Sequence, residues 1–432
     1  MIHKQLSNVG RCFKQIFSEQ VLNALGKSTR FCQRVREITP YRLALGLIEV
    51  FSTMRVETIA DVHRGFNALC ERKVQYKPFH NQLVKEGFPI FTRNLCERLM
   101  EQLTVEVLRF TPKSPFAKFS HILVHDGTSF GIKSALKKVY PGRFTKTSPA
   151  AVELHVSMDL LSEGLDLVTL TPDSESEVHH APAPHTIAGG LFLGDRMFFN
   201  KPYLASIEAE GGFFVVKAKG NLNPTIRRVY TPEGREIKRY RNQPLATLKP
   251  KMGRYKVLDL DVEWEGELKA RLVVTWNAKE NKPRYLVTNL SRAEFTLEEV
   301  CTAYRLRWQI ELMFKEWKSY ANLHAFDTSK ENIAEGFIWA ALCASLLKRY
   351  CAHLTQRLCG VPISTRKVAM CLHHVLADPF RAILHCPRQL NRALKRALHF
   401  LSHNAQRAHP KRDHRTGRLQ LGLEHVYGAL NN

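Results

Sequence analysis

The stretch from Tyr304 to Tyr320 constrains the fold more than any other part of the chain. Tyr304, Arg307, Glu311 and Lys318 stand at offsets of three, four and seven residues. On an α-helix those offsets return to one face, so the spacing predicts a helix with four polar groups pointing the same way. Leu306, Ile310, Leu312, Met313 and Trp317 take the other side and suit burial. A carboxylate flanked by two cations and a phenol is a good arrangement for holding a metal beside a phosphate. Taken alone, the pattern also fits a solvated face laced with Glu–Lys and Arg–Glu pairs. What tips the balance is where the other carboxylates fall.

Bulk properties narrow the partners. A chain of 432 residues holds roughly two to four domains and buries a sizeable core. Sixty-four Lys and Arg against 40 Asp and Glu give a formal charge of +24, so a polyanionic partner is expected, nucleic acid before an anionic membrane. The longest apolar run, around Ala334–Leu347, is ended by Lys348 and Arg349 before the roughly 18 residues that a membrane span needs. The start of the chain, Met1-Ile-His-Lys-Gln-Leu, lacks a signal-peptide core. Ten cysteines include no C-x2-C pair, which gives structural zinc no support and fits a reducing, cytoplasmic setting. The His373-His374 and His385-Cys386 neighbours point apart on a helix and are poor ligand pairs.

The texture changes twice along the chain. Residues 1–118 read as helical, with Leu43–Thr53, Glu57–Leu69 and Val74–Val84 spaced like a helix-turn-helix unit. Its third segment offers Lys77, His80, Asn81, Gln82 and Lys85 to a DNA groove, although any small helical bundle carries a similar pattern. From Phe119 strands take over: Ser120–Asp126, Ala151–Asp159, Leu165–Leu170, Gly190–Asp195 and Phe213–Lys219, with a short helix expected at His180–Ala188 and another at Pro202–Glu210. That order is the one of an α/β fold, a ribonuclease H-like mixed sheet forming a core over 119–320. Residues 221–290 read as an all-β insertion without helices, and 321–432 as a helical, basic C-terminal region. Within it Arg388–Arg418 carries nine Lys or Arg and one acid, a tail either solvated or touching phosphates.

Two aspartates complete the pattern. Asp126 closes one apolar strand ahead of Gly127-Thr-Ser-Phe-Gly131, expected to be a turn that exposes the carboxylate, and Asp195 closes another ahead of Arg196. An uncompensated buried carboxylate is costly, so packing does not explain them, though each alone also fits a turn or cap. Phosphodiester chemistry without a covalent intermediate commonly uses two divalent ions bridged by carboxylates, and Mg2+ and Mn2+ prefer oxygen ligands.

Asp126, Asp195 and Glu311 in that order, with Glu311 inside the Tyr304-Arg307-Glu311-Lys318 signature, resemble the catalytic triad of DDE transposases of the insertion-sequence-four family. The resemblance spans roughly residues 119–320, and Arg196-Met-Phe-Phe departs from a pattern that often has a small residue and Tyr there. It implies metal ligation by Asp126, Asp195 and Glu311, with two Mg2+ or Mn2+ ions, and contacts from Tyr304, Arg307 and Lys318 to DNA phosphates. It also implies binding of terminal inverted repeats, joining of 3′-hydroxyl ends to target DNA, a homodimer on DNA and a cytoplasmic, nucleoid-associated protein. Trp276 or Trp264 is then a candidate to stack on a flipped base, either also fitting a core role. Asp159, Asp166, Asp173, Glu175 and Glu177 are expected at turns and surfaces, with Glu175 or Glu177 as an auxiliary ligand in the alternative. Two rivals share these residues: a ribonuclease H-fold nuclease or resolvase that only hydrolyses, and a non-catalytic DNA-binding protein.

Overall fold

Alternating apolar residues punctuated by Gly, Pro and Asn form strands, and these assemble into one large sheet. The computed structural model describes residues 2–34, 36–266, 268–324, 326–409 and 418–428. Six helices come first: α1 (Ile2–Ile16), α2 (Glu19–Ser28), α3 (Pro40–Thr53), α4 (Ile59–Cys70), α5 (Tyr76–Leu83) and α6 (Gly87–Gln102). After β1 (Leu108–Phe110) come β2 (Ile122–Gly131), β3 (Ala151–Asp159), β4 (Gly164–Pro172), β5 (Leu191–Gly194), α7 (Lys201–Ala209) and β6 (Phe213–Lys217). In space these five lie in the order β4-β3-β2-β5-β6. β5 runs parallel to β2 and β6, whereas β3 is antiparallel to both its neighbours. This is the ribonuclease H-like arrangement that the order of elements predicts.

The insertion enlarges this sheet instead of forming its own. β7 (Thr225–Tyr230), α8 (Met252–Tyr255), β8 (Val257–Trp264), β9 (Leu268–Asn277) and β10 (Lys282–Thr288) follow, and β10 pairs antiparallel with β6. The result is a nine-stranded sheet ending in β10-β9-β8-β7. Contrary to expectation the insertion is not free of helix: α8 makes one turn, preceded by 3-10 turns at Lys238–Tyr240, Leu245–Thr247 and Lys249–Lys251. The helix expected at His180–Ala188 is replaced by 3-10 turns Glu177–His180 and Pro184–Ile187. Pro182 and Pro184 lack the backbone donors a helix there would use.

The period of two along each strand sorts the core into two layers. Val124, Leu193 and Val215 face one side with Leu154, Val156, Ile310 and Phe337, whereas Leu123, Phe192, Phe214 and Val216 face α7 and the insertion. The helical layer is completed by α9 (Leu297–Leu306), α10 (Trp308–Tyr320), α11 (Glu331–Cys359), α12 (Thr365–Cys371), α13 (Ala377–His385) and α14 (Leu390–Asn404). β11 (Leu423–His425) returns to pair with β1.

Helices before residue 119 and after residue 320 share one core. α11 packs on α3 and α6, and a Cβ at its Gly336 would stand 2.2 Å from the ring of Phe88. The α3–α4–α5 unit is therefore no free-standing bundle, since α3 is buried along nearly its whole length. On α5, Phe79 and Leu83 are buried while Tyr76, Lys77, Asn81 and neighbouring Lys85 are exposed. Of the basic tail Arg388–Arg418, residues 410–417 lie outside the described residues.

Candidate active site

Asp126 sits within a strand and does not end it. β2 continues to Gly131, with Asp126 opposite Val156 and Gly127 opposite His155 on β3, so the expected turn after Asp126 is extended strand. Asp195 does follow its strand directly, and its carboxylate caps the turn Arg196–Phe198 by accepting from the Met197 backbone N–H at 2.6 Å. Val124 of β2 is level with Leu193 of β5 in parallel register. Two residues further along both strands, Asp126 and Asp195 are neighbours.

Glu311 comes to them from above, on α10. The helix predicted from Tyr304 onward is interrupted: α9 ends at Leu306, α10 begins at Trp308, and Arg307 lies between with φ −51 and ψ −31. Three-residue hydrogen bonds, Arg307 N–H to Tyr304 and Ile310 N–H to Arg307, tighten the junction. Tyr304 is thus on one helix and Glu311 and Lys318 on the next. Of the residues expected on the apolar side, Leu306, Ile310, Met313 and Trp317 are buried, whereas Leu312 is half-buried.

Arg307 joins the two sides of the site. Its Nη1 donates to Asp126 Oδ2 at 2.9 Å and its Nη2 donates to Glu311 Oε1. Burial pushes the Asp126 carboxyl up to about 6, with Glu177 and Asp195 adding to the rise and Arg307 opposing it. Tyr304 shares this environment; burial, Asp195 and Asp126 push its phenol up to about 12 against the pull of Arg307. Lys318 stands apart, exposed and without an ion pair among the described residues. Among those residues no three His, Cys, Asp or Glu side chains are gathered closely enough to hold a metal, and Glu311 is turned to Arg307. The donors nevertheless fit a hard divalent ion. All are carboxylate oxygens, and the repulsion from Glu177 and Asp195 that adds to burial in raising Asp126 is what such an ion relieves.

A second acidic pair lies beside this one. Glu153 on β3, only 3% exposed, is within hydrogen-bonding reach of Glu177, which two carboxyl groups manage by sharing a proton. Burial pushes both upward. The pair closes over Gly127, where a Cβ would stand 2.3 Å from Glu177 Oε1 and 2.7 Å from Glu153 Oε1, so a side chain there would push the two carboxyl groups aside. Arg143 braces the pair, donating to Glu153 at 3.0 Å while its backbone N–H donates to Asp173 at 2.9 Å. Sequence reasoning left out Glu153 and Arg143. The available signal was Glu153, His155 and Ser157 at alternate positions of a central strand, where a polar face has to be buried. His155 bonds Thr171 and His125 bonds Ser157 there, and burial pulls the two imidazoles down to about 4 and about 3, so both are neutral. Of the other acids, Asp159 serves its turn by accepting from Ile122 and Leu161, and Glu175 pairs with His180 at 3.3 Å. Trp264 packs on Phe199, four residues past Asp195, whereas Trp276 packs over Gly253.

The position of α10 is fixed from below. Arg418 donates to Glu163 Oε1 at 2.8 Å and to Gln309 Oε1 at 2.7 Å, and Lys348 Nζ donates to the Tyr320 carbonyl at 2.7 Å. Arg349 and His353 close on Glu163 at 3.2 and 3.3 Å. Burial alone would raise the Glu163 carboxyl, yet Arg418, His353 and Arg349 together hold it well below the usual range.

Residues 117–347, a little over half the chain, match the family described as "Transposase DDE domain". The chain belongs to this family. DDE transposases cleave DNA and transfer strands with the help of divalent metal, so this chain is an enzyme acting on DNA. Among similar proteins, the transposase for insertion sequence element IS1151 of Clostridium perfringens is 21% identical over 384 residues, 80% of each chain. The transposase for IS231E of Bacillus thuringiensis subsp. finitimus is 22% identical over 471 residues, covering 96% of this chain and 97% of that one. A piggyBac transposase synaptic complex with hairpin DNA superimposes at TM-score 0.46 and 11% identity, over 93% of this chain and 86% of its own.

Proposed function

We propose that this DDE transposase moves a bacterial insertion sequence, with Asp126, Asp195 and Glu311 as its catalytic carboxylates. The observation that carries the assignment is the side-by-side placement of Asp126 within β2 and Asp195 directly after the parallel β5, with one guanidinium linking Asp126 to Glu311. The three carboxylates would hold two Mg2+ or Mn2+ ions, which when bound activate the attacking oxygen and stabilise the leaving one. The protein's own part is orientation and charge. The sheet holds the two aspartates and the buried Glu163 cluster holds the helix of Glu311, so the backbone carrying all three acids is braced, and Glu311 would turn from Arg307 to join them. Arg307 is matched to a phosphate as well as to a carboxylate, and on DNA entry it trades one partner for the other. The Tyr304 hydroxyl, neutral at physiological pH, donates to a phosphate oxygen beside it. Lys318 meets the backbone further from the cut.

The substrate is the terminal inverted repeat of the element, cut to leave a 3′-hydroxyl that attacks target DNA. Two ends have to be cut and joined together, so a homodimer bridging two ends is the smallest assembly that does it. The cell's cytoplasm, at the nucleoid, is where such a reaction takes place, in keeping with ten free cysteines. No helix among the described residues is long and apolar enough to cross a membrane.

The deciding experiment supplies a duplex bearing one element end, a supercoiled target plasmid and Mg2+. The parent protein should nick the end and join it to the plasmid, whereas Glu311→Ala should bind the end and do neither, a loss of more than about 10^3-fold. Nicked ends that never join would leave a nuclease, and full Mg2+-dependent cleavage by Glu311→Ala would remove it from the site.

A further inference from the structure

Two helices remote in sequence, α1 and α14, carry no Asp or Glu between them. They lie against each other, so closely that a Cβ on Gly10 of α1 would stand 1.9 Å from the Asn391 side chain of α14. Lys14 is one turn beyond Gly10, and Arg388 and Lys395 are one turn to either side of Asn391. Arg11, Lys14, Arg388, Arg392 and Lys395 are all exposed. None of the five has an ion pair among the described residues, whereas their neighbour Arg396 is paired with Asp378 at 3.0 Å. Like charges gathered on one seam repel one another, which a protein with cations to spare has no structural reason to arrange.

We propose that this seam is a DNA-backbone surface, distinct from the active site, that holds the duplex of the element end whose strand is cut beside Asp126. The proposal rests on the transposase reading. Several observations favour DNA. A helix that binds a lipid surface keeps its apolar face free for the acyl chains. Here Phe13 and Ile16 of α1, and Leu394, Leu398 and Leu401 of α14, are buried in the core, so only the cationic sides remain. With 15 residues, α14 is about 22 Å long, close to two-thirds of a duplex turn of about 34 Å. The surface also connects to the active-site helix. α12 packs on both α10 and α14, and its exposed Arg366 donates to the hydroxyl of Tyr320, the last residue of α10, at 3.4 Å. α12 meets the C-terminal end of α14, where the Ser364 N–H donates to the Ala405 carbonyl, so Arg366 stands between the active-site helix and the helix that carries the seam.

The test uses the full chain carrying Arg388→Gln, Arg392→Gln and Lys395→Gln together. A control removes equal charge from the insertion by Lys269→Gln, Lys279→Gln and Lys282→Gln. End-bearing duplexes of two lengths serve as probes, one extending about three turns inward from the cut and one trimmed to the base pairs next to it. The seam variant should bind the long duplex about 10- to 1,000-fold less tightly at physiological salt, with the slope of log affinity against log salt reduced by about 3. Its cleavage rate on the short duplex at saturating protein should equal the parent's, and the control should stay close to the parent throughout. A loss no larger than the control's overturns the proposal, as does an equal loss on both lengths. So does a variant that cuts the long end normally but fails to join it to target, since the seam would then serve target DNA. Failure of the parent to cut either duplex would count against the transposase reading, while the salt slopes would still judge the seam.

Discussion

Two clusters of charge flank α10, and they are opposites. At its start, Asp126 and Glu311 share a single guanidinium, that of Arg307, and Asp126, with Asp195 and Glu177 nearby, is pushed up to about 6. Beneath the helix, a single carboxylate, Glu163, is surrounded by Arg349, His353 and Arg418 and held well below the usual range. Both are largely buried, so desolvation penalises both, and the ratio of acids to cations decides the outcome. An acid with too many cations gives a fixed joint. Acids with too few cations give a site still short of positive charge, which is the charge balance that the proposed metal-binding role requires.

The largest expected effect falls on the joint. Glu163→Ala strands Arg349, His353 and Arg418 in the interior, and loss of one partner from a buried ion cluster costs about 3–5 kcal/mol. Urea unfolding should show that loss at neutral pH. The Glu163 carboxyl is depressed in the folded protein, so its stabilisation is complete above its unfolded value of about 4.3. That stabilisation is lost as pH falls through the lower folded value. A stability loss below 1 kcal/mol for Glu163→Ala would mean that the cluster is not a joint at all.

The opposite sign is expected at the site. The Asp126 carboxyl is raised from 3.8 to about 6, so the folded protein holds the proton more tightly than the unfolded chain does. The contribution of Asp126 to stability should therefore fall as pH rises from about 4 to 6 and stay flat above it. Asp126→Asn should remove that fall, leaving the variant more stable than the parent by about 1–3 kcal/mol above pH 6 in metal-free buffer. The same substitution should abolish cleavage. Parallel stability curves for the two proteins between pH 4 and 7 would deny the crowding of acids on which the comparison depends.

How much of this the sequence carried follows from how local each signal is. The strand order and the apolar side of α10 rest on periods of two and 3.6, which nearby residues set, and both are found, with Leu312 only half-buried. Asp126 and Asp195 drew notice because each stands beside apolar strand residues, and their adjacency on neighbouring strands follows from the register of β2 and β5. The break at Arg307 was not legible, since a residue in αR geometry between two helices leaves no mark on periodicity. Glu163 was illegible for a different reason: its partners lie 186, 190 and 255 residues away, so it reads as one more turn acid. Glu153 was hidden by being in a polar alternation that suits a solvated strand face just as well. The insertion's merger with the main sheet depends on β10 pairing with β6, a contact no local pattern encodes.

The smallest effect sharpens the comparison most, because it asks what a cation does when it belongs to neither cluster. Lys318 shares α10 with Glu311 and Gln309, yet it is exposed and has no ion pair among the described residues. Removing it strands no buried partner, so Lys318→Gln should leave folding stability within about 0.5 kcal/mol of the parent. If Lys318 meets a DNA phosphate, end affinity should fall by about tenfold at physiological salt and the salt slope by about 1, whatever the sequence bound. The cleavage rate at saturating protein should hardly change, since the side chain touches neither carboxylate cluster. Arg307→Gln, in contrast, should lower both affinity and rate, because its guanidinium touches Asp126 and Glu311 directly. Equal rate losses for the two substitutions would place Lys318 among the reacting groups and erase the distinction between site and surround.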